Sequence, residues 1–363
     1  LARRGLRVLG LERFSVPNEM GSHAGQSRII RKAYFEHPDY VPLLHRSYEG
    51  WSALEASSGV RLYHETGLLY AGGPTSALLK GVRESAELHH IPLESIPAGK
   101  RSNRFPAFQI GDDYDLLFEP NAGFIVPDLA ITTFVKGAER AGAVIRQHER
   151  VINWKSDGSG VSVITESGHY KAAKLVITAG PWAYDLIPEL KSLLKVTRQL
   201  FAWFMPERPD PFMIGNFPCW LVDQHETGAA WYGVPMLPAE RFGGPHGLKI
   251  GQHNPGVVSH PDQVDRTVKP EELEQLTREV GQLIPGATRK LLTTKVCLYT
   301  YSPDEHFIID KLPGKDDRVV FAAGFSGHGF KFLPVIGEVL ADLATKGVTA
   351  HPAGFLSMAR LKK

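Results

Sequence analysis

The sequence lacks the features of several common classes of protein. Its 363 residues include only two cysteines, Cys219 and Cys297, which cannot build a disulfide framework, so we expect a reducing, cytoplasmic setting. No apolar run approaches the roughly 18 residues that a membrane-spanning helix requires. The arginines within the amino-terminal LARRGLRVLGLERF argue against a signal peptide. We therefore expect no membrane association.

An excess of charge of one sign is also missing. The chain has 41 Lys and Arg residues against 39 Asp and Glu residues, and its basic residues do not gather into a stripe. It therefore lacks the electrostatic footprint of a nucleic-acid-binding protein. His246, His253 and His260 are loosely spaced and no cysteine or acid completes a ligand set, so no metal site is expected.

The amino terminus reads as the second half of a β-α-β unit. LARRG predicts the last turn of a helix that ends at Gly5, and LRVLGLE predicts a buried strand that ends at Glu12. In dinucleotide-binding folds an acid at this point binds ribose hydroxyls, about 20 residues after a glycine-rich turn. We expect that turn and the first strand to precede residue 1. A solvated turn at Glu12 remains the alternative.

Helices and strands then alternate as in an α/β protein of about two domains. DLAITTFVKGAERAGA (128–143) predicts a helix capped by Asp128, and PEELEQLTREVGQLIPG (270–286) predicts a second amphipathic helix. GVSVITESGHYKAAKLVITAG (160–180) predicts a hairpin followed by a buried strand. Residues 196–260, rich in aromatic residues, proline and glycine, favour a separate antiparallel domain. The predicted fold class is α/β plus α+β.

The stretch FAAGFSGHGFKF (321–332) joins a predicted buried strand, RVVFAAG (318–324), to a predicted helix, VIGEVLADLATKG (335–347). Free N–H groups and the helix dipole converge at such a junction, which favours an anion site. The alternative is a plain connection in which the glycines only serve turn geometry.

Four segments in this order closely resemble the family of monomeric sarcosine oxidase and N-methyltryptophan oxidase, which are FAD-dependent amine oxidases: GSHAGQSRIIRKAY (21–34), LKIGQHN (248–254), KVCLYTYSPDEHFIID (295–310) and AAGFSGHGFKF (322–332). The resemblance implies a discontinuous, glutathione-reductase-like FAD-binding domain formed by residues 1–65, 120–195 and 300–363. It also implies a second, mixed-sheet substrate domain formed by residues 66–119 and 196–299.

The resemblance assigns roles that residue type alone would not. Cys297 would be linked through its sulfur to the 8α-methyl carbon of FAD, although a lone cysteine in a strand is usually a small core residue. Arg31 and Lys331 would clamp the substrate carboxylate. Lys249 would lie above the flavin where dioxygen is activated. The remaining pocket residues that the resemblance implies are His253, Tyr232 and Tyr299.

The resemblance also implies a set of FAD-binding residues: Glu12, Arg13, Ser22, His23, Ser27, Arg28, Val151, Ala179, Gly180, Trp182, Cys297, Gly324, Gly327, His328, Gly329, Phe330 and Lys331. Two positions depart from the family pattern. This chain has Ala24 where the family often has a second histidine, and Gln26 where it often has an acid. We therefore expect the flavin potential and proton handling to differ.

The function implied is oxidation of a secondary α-amino acid of the sarcosine or N-methyltryptophan type by a monomer. The product imine would hydrolyse to an aldehyde and an amino acid, and O2 would be reduced to H2O2. Two alternatives stay open: an FAD-dependent dehydrogenase that passes electrons to another acceptor, and a truncated flavin-binding fragment without activity. Lys249 favours the oxidase.

Overall fold

The computed structural model describes residues 1–224, 227–253, 256–315 and 317–361. These residues form strands β1 (Leu9–Leu11), β2 (Arg28–Ile30), β3 (Tyr63–Glu65), β4 (Leu68–Gly72), β5 (Glu94–Ser95), β6 (Asp115–Glu119), β7 (Gly123–Ile125), β8 (Val144–Arg146), β9 (Val151–Asp157), β10 (Gly160–Thr165), β11 (His169–Ala172), β12 (Leu175–Ile177), β13 (Lys195–Met205), β14 (Cys219–Gln224), β15 (Ala229–Val234), β16 (Leu248–Gln252), β17 (Val257–Val258), β18 (Lys290–Tyr301), β19 (Ile308–Lys311) and β20 (Val319–Ala323). The helices are α1 (Tyr40–Ser58), α2 (Ala77–Leu88), α3 (Ala98–Arg104), α4 (Pro127–Arg140), α5 (Ala183–Leu186), α6 (Ala239–Phe242), α7 (Pro270–Leu283) and α8 (Leu333–Lys346). Short 3₁₀ turns include Ala2–Arg4, Gly180–Trp182 and Phe330–Phe332.

The largest sheet has nine strands in the order β17-β13-β16-β15-β14-β4-β6-β5, with β18 also paired to β13. Its pairs are antiparallel except that of β4 with β14. The apolar stripe of α7 packs in the same core as this sheet, through Leu276, Val280 and Leu283. The strands of the region 196–260, β13 to β17, pair antiparallel with one another, and β4, β5, β6 and β18 enlarge the sheet.

The remaining strands form four small sheets: β1-β8, β11-β10-β9, β12-β20-β19 and β2-β7-β3. Every residue of β20 is buried, and α8 packs against it and against α1. Gly347 ends α8 in the left-handed conformation, with φ of 76°. The predicted strand, turn and helix around residues 318–347 are confirmed, as are α7 and the hairpin of β10 with β11.

Two local predictions were wrong. The first strand is shorter than LRVLGLE and is not buried, since Leu9 is 41% exposed and, among the described residues, β1 pairs with β8 alone. Asp128 does not cap α4, because Val126 takes the cap position and Pro127 the first helical position. Proline is suited to that position, where its missing N–H costs nothing. Asp128 instead lies in the first turn, where its charge favours the helix dipole.

Candidate active site

A cavity of about 70 Å³ lies between the end of β2, the large sheet and the turn that follows β20. Apolar residues form much of its wall, including Phe35, Leu68, Leu221 and Val234. The structure places at this cavity ten of the residues that the sequence implicated: Ser27, Arg28, Arg31, Tyr232, His253, Tyr299, Gly327, His328, Phe330 and Lys331.

The turn after β20 depends on left-handed backbone. Gly324, Ser326 and Gly327 have φ values of 65°, 46° and 82°. A Cβ on Gly327 would lie 2.3 Å from the Tyr299 ring, so only glycine lets the turn approach β18 so closely. The main-chain N–H of Ser326 donates to the carbonyl of Thr300 at 2.9 Å, which fixes the turn to that strand. Gly329 follows and begins the 3₁₀ turn that carries Phe330 and Lys331.

Lys331 is a buried cation with few partners. Its Nζ donates to the carbonyl of His328 at 2.6 Å and to the Tyr34 hydroxyl at 3.4 Å. Its own carbonyl accepts from the Trp51 indole at 2.9 Å, which fixes the backbone. Burial lowers the pKa of Lys331 to about 7, and the charge of Arg31 adds to the effect. Its protonation is therefore sensitive to any charge that enters the cavity.

Arg31 lies in the same cavity and forms an ion pair with Glu36. Its Nη2 donates to both carboxylate oxygens at 2.6 and 2.8 Å, while the guanidinium packs on the rings of Tyr34 and Phe35. Burial alone would lower the pKa of Arg31, but the carboxylate of Glu36 raises it above its usual range. Arg31 therefore stays cationic.

Sequence reasoning missed Glu36. Burial would raise the pKa of this carboxyl, yet Arg31, then His328 and Lys331, lower it to about 2. The two cations assigned to a substrate carboxylate thus already face a carboxylate of the protein itself. An acid five residues after a functional arginine was visible in RIIRKAYFE, but no local pattern shows that the two side chains pair.

Glu119, also missed, holds the segment that carries Arg31. It is fully buried at the end of β6, and its carboxylate accepts from the N–H groups of Lys32 and Ala33 and from the Tyr70 hydroxyl. Burial raises its pKa, and these hydrogen bonds oppose the increase. Because Glu119 belongs to the large sheet, it sets the position of Arg31 relative to that sheet.

Lys249 occupies a second buried position, on β16. Its Nζ donates to the carbonyl of Ser27 at 2.7 Å and lies 4.8 Å and 5.9 Å from the ring centroids of Phe201 and Trp203. Burial lowers the pKa of Lys249 well below its usual range, and Arg28 lowers it further. Cys297 belongs to the neighbouring aromatic cluster, and burial raises its pKa.

Arg28 orders the segment that approaches Lys249. Its guanidinium donates to the carbonyls of Ser22, Ala24 and Ser27. Gln26, one of the two departures from the family pattern, accepts from the Trp203 indole at 3.1 Å. Its amide also donates to the carbonyl of Gly243. Gln26 is therefore fixed to Trp203, whose ring also lies near the Lys249 ammonium.

Neutral side chains share the cavity with Arg31 and Lys331. Burial lowers the pKa of His253 to about 4 and raises that of Tyr232 to about 12. Burial also raises the pKa of Tyr299.

His328 is held as a neutral imidazole. Its Nε2–H donates to the carbonyl of Glu305, so its Nδ1 accepts from the hydroxyl of Tyr34. Burial lowers the pKa of His328 to about 3.

A separate group gathers around the end of β1. The Glu12 carboxylate accepts from the N–H of Phe14 at 2.8 Å, and the Arg13 guanidinium lies 5.4 Å from the Trp182 ring centroid. Burial raises the pKa of Glu12, and this hydrogen bond opposes the increase. Ala179 and Gly180 open the 3₁₀ turn of Trp182, and Val151 begins β9.

The residues present fit an elongated cofactor such as FAD. His23 Nε2 and Ser27 Oγ are buried, and neither has a hydrogen-bond partner among the described residues. At Gly180, with φ of 55°, an added Cβ would meet nothing within 4 Å, which leaves room for a group to approach the backbone. Unpaired buried donors and open glycine backbone are what a phosphate- and carbonyl-rich ligand requires.

Two other kinds of site find no support in the part of the chain that the structure describes. No group of three or more histidine, cysteine, aspartate or glutamate side chains there could hold a metal ion. Within the same residues, no helix combines the length and hydropathy needed to cross a membrane.

Comparison with known proteins gives consistent matches over nearly the whole chain. The family described as FAD dependent oxidoreductase matches residues 1–343. Monomeric sarcosine oxidase of Streptomyces avermitilis is 38% identical over 99% of this chain and 93% of its own length. N-methyl-L-tryptophan oxidase of Yersinia pestis is 32% identical over 99% of this chain and 94% of its own length.

Solved structures agree with the fold. NikD, an unusual amino acid oxidase essential for nikkomycin biosynthesis, superposes in its open form with a TM-score of 0.84 at 27% identity, covering 98% of this chain and 92% of that one. L-proline dehydrogenase from P. horikoshii has a TM-score of 0.82 at 23% identity over 99% of this chain and 92% of that one, a likeness of fold alone.

The Glu36 ion pair predicts how stability depends on pH. The pKa of Glu36 in the folded protein, about 2, lies below its usual 4.5, so the ionised carboxylate stabilises the fold. This contribution is fully present above the usual pKa and is lost as pH falls through the folded value. Glu36→Gln should therefore lower the free energy of unfolding at neutral pH by about 3–5 kcal/mol. It should also flatten the loss of stability below about pH 5.

Urea titrations across this pH range measure both effects. Glu49→Gln is the matched control, because Glu49 pairs with Arg46 on the surface and is 66% exposed. An exposed pair contributes about 0–1 kcal/mol. Equal losses in the two variants would contradict a stabilising role for the buried pair.

Proposed function

The chain belongs to the family of FAD-dependent oxidoreductases, and from this we propose that it is an amine oxidase whose substrate is a secondary α-amino acid. The observation that carries the proposal is the cavity shared by Arg31 and Lys331. A guanidinium can hold a carboxylate through two parallel hydrogen bonds, and an ammonium adds a point charge. Both groups are buried, so the attraction is weakly screened by water.

The charges at the cavity favour an additional carboxylate. Glu36 neutralises Arg31. Arg28 and Lys331 also line the cavity, and no acid among the described residues lines it with them, so positive charge is in excess whenever Lys331, whose pKa is about 7, is protonated. An incoming carboxylate would stabilise the protonated form of Lys331 and compete with Glu36 for Arg31. A simple amine, which has no carboxylate, would make neither interaction.

The amine end would lie among apolar and neutral groups. Leu68, Leu221 and Val234 suit an N-alkyl substituent, and His253 is neutral at physiological pH because burial lowers its pKa to about 4. The same desolvation that lowers the pKa of Lys331 would lower that of a bound amine. The site would therefore hold the amine in its neutral form, which has the free electron pair that oxidation needs.

Bound FAD would supply the oxidising chemistry, taking a hydride equivalent from the carbon attached to nitrogen and passing the electrons to O2 to give H2O2. Glu12 and Arg13 would hold its adenosine end, the backbone at Gly327 would lie against the flavin ring, and Cys297 would carry a thioether to the 8α-methyl group. The protein's role is to orient the amine, exclude water and fix charge. An N-methyl substrate, suggested by the names of the relatives, would yield an imine, which water would hydrolyse after its release to an aldehyde and the demethylated amino acid.

We assign Lys249 to dioxygen rather than to the amine. It donates to the Ser27 carbonyl beside the aromatic cluster of Cys297, and Phe201 packs under its ammonium, whereas Arg31 pairs with Glu36. A cation about 4 Å from a developing superoxide stabilises it by roughly 4 kcal/mol at an effective dielectric constant near 20. This favours an oxidase over a dehydrogenase that uses another acceptor.

The chain division is part of the same proposal. The nine-stranded sheet and the helices that cover it would form the substrate domain of residues 66–119 and 196–299. Residues 1–65, 120–195 and 300–363 would form the FAD-binding domain. Of the segment LKIGQHN, Asn254 lies outside the described residues. We further propose that the enzyme acts as a monomer.

Measuring the two half-reactions separately, flavin reduction by the amine and flavin reoxidation by O2, tests both the proposed function and the role of Lys249. Mixing the holoprotein anaerobically with N-methylglycine should bleach the visible flavin absorbance, and oxygen should restore it. Lys249→Met should leave the bleaching nearly normal and slow the recovery by up to about a thousand-fold, at 1.4 kcal/mol per tenfold change. In the wild type, recovery should slow as pH rises through the lowered pKa of Lys249, because the cation is then lost.

Stopped-flow absorbance measures both steps, and Lys80→Met, on the surface of α2 with its side chain 76% exposed, is the control. If no secondary amino acid bleaches the flavin, the substrate proposal is wrong. Unchanged recovery in Lys249→Met would remove that residue from the oxygen step.

A covalent bond at Cys297 predicts that flavin stays with the denatured chain. Yellow fluorescence should accompany the wild-type polypeptide through denaturing electrophoresis, and Cys297→Ser should release it. Cys219→Ser should not, because Cys219 lies on β14 beside Thr66 and outside the aromatic cluster of Cys297. Flavin that washes out of the denatured wild type would contradict the linkage.

A further inference from the structure

A short segment between β17 and α7 joins parts of the molecule that are distant in sequence. We call residues 259–267 the strap. The Asp262 carboxylate accepts from Arg13 Nη1 at 2.6 Å and from Trp182 Nε1 at 2.8 Å. Both partners belong to the group at the end of β1. The strap therefore holds Arg13, which we propose binds the adenosine end of FAD, and Trp182, on whose ring the Arg13 guanidinium lies.

The carboxylate of Asp262 is suited to this role. Burial alone would raise its pKa, but the hydrogen bonds from Trp182 and Arg13 lower it, so the group is ionised at neutral pH. The Arg13 guanidinium lies over the rings of Phe14 and Trp182. Arginine has many rotamers, and an ion pair at its tip selects the one that stacks on these rings.

Arg266 makes the second contact of the strap. Its Nη1 donates to the carbonyl of Val296 at 2.8 Å, and its Nη2 donates to the carbonyl of Met20 at 3.0 Å. Val296 immediately precedes Cys297. Arg266 thus joins the strand of that cysteine to the segment that leads into His23 and Ser27.

The base of the strap is fixed to the large sheet. The Arg198 guanidinium on β13 donates to the carbonyls of Asp265 and Thr267 at 2.6 and 2.7 Å. At the other end, the N–H of Ser259 donates to the carbonyl of Val196 at 2.9 Å. With its ends held, the strap presents Asp262 and Arg266 at fixed positions.

We propose that residues 259–267 retain FAD, because Asp262 fixes Arg13 and Trp182 at the adenosine end and Arg266 fixes the strand of Cys297 at the flavin end. Both are positioning residues, since they act through side chains and backbone that would touch the cofactor. The inference rests on the proposed binding of FAD by Arg13 and Trp182. The part that concerns Arg266 also rests on the proposed position of Cys297 beside the flavin, whereas neither part depends on the substrate.

The test measures the release of FAD from holoprotein carrying Cys297→Ser, so that any covalent bond is absent. FAD fluorescence after dilution reports the release rate. Asp262→Asn should speed release about tenfold or more, because this is the effect expected from the loss of one charged hydrogen bond. Asp262→Glu, which keeps the charge, should restore part of the difference. Arg266→Gln should also speed release, and Arg266→Lys should do so less.

The salt dependence of FAD release distinguishes loss of the ion pair between Arg13 and Asp262 from a general loss of stability. The side chains of Arg13 and Asp262 are 29% and 30% exposed, so screening should weaken their pair. Release should therefore accelerate with salt in the Cys297→Ser parent and less in its Asp262→Asn derivative. Gln263→Ala, in the same segment, is the control and should release FAD at the parent rate.

Parent-like release in both Asp262→Asn and Arg266→Gln would overturn the proposal. Faster release with an unchanged salt dependence would also overturn it, because the variant would then act through general destabilisation. If the holoprotein oxidises no amine, the proposed function is wrong while the release rates still decide the role of the strap.

Discussion

The buried ion pair between Arg31 and Glu36 sets the character of the whole cavity. It keeps a guanidinium cationic away from water and places one carboxylate where two cations converge. Glu119 holds the backbone of this segment against the large sheet, and the left-handed turn after β20 brings Lys331 to face it. Arg28, Arg31 and Lys331 line the cavity and Glu36 offsets only one of these charges, so the carboxylate of the proposed substrate would meet an excess of positive charge.

The proposed site has two cationic positions with different roles. Arg31, paired with Glu36, shares a cavity with Lys331, whereas Lys249 lies against Phe201 beside the Cys297 cluster. Because their surroundings differ, the charges can serve different reactants: an amino acid at one position and dioxygen at the other. Burial lowers the pKa of both lysines, so neighbouring charge decides whether either is cationic.

Local sequence patterns predicted the elements better than the contacts between them. The strand, turn and helix around Lys331 followed from a buried run, clustered glycines and helical periodicity, and the likeness to known oxidases identified the cations. Glu36, Glu119 and Asp262 could not be found this way, because their partners are chosen by tertiary packing; Glu119 lies 87 residues from Lys32. The error at β1 has the same origin, since its exposure is decided by strand pairing. The error at Asp128 was local, because the neighbouring Pro127 takes the first helical position.

The carboxylate is the part of the substrate that Arg31 and Lys331 should recognise, so changing it alone is the most direct test. Anaerobic flavin bleaching would be compared for N-methylglycine and its amide, which have the same N-methyl amine but differ in charge. Loss of a buried charge partner costs about 2–5 kcal/mol, so the acid should react at least roughly 30-fold more efficiently than the amide. Equal bleaching by the two compounds would contradict carboxylate recognition by this cavity.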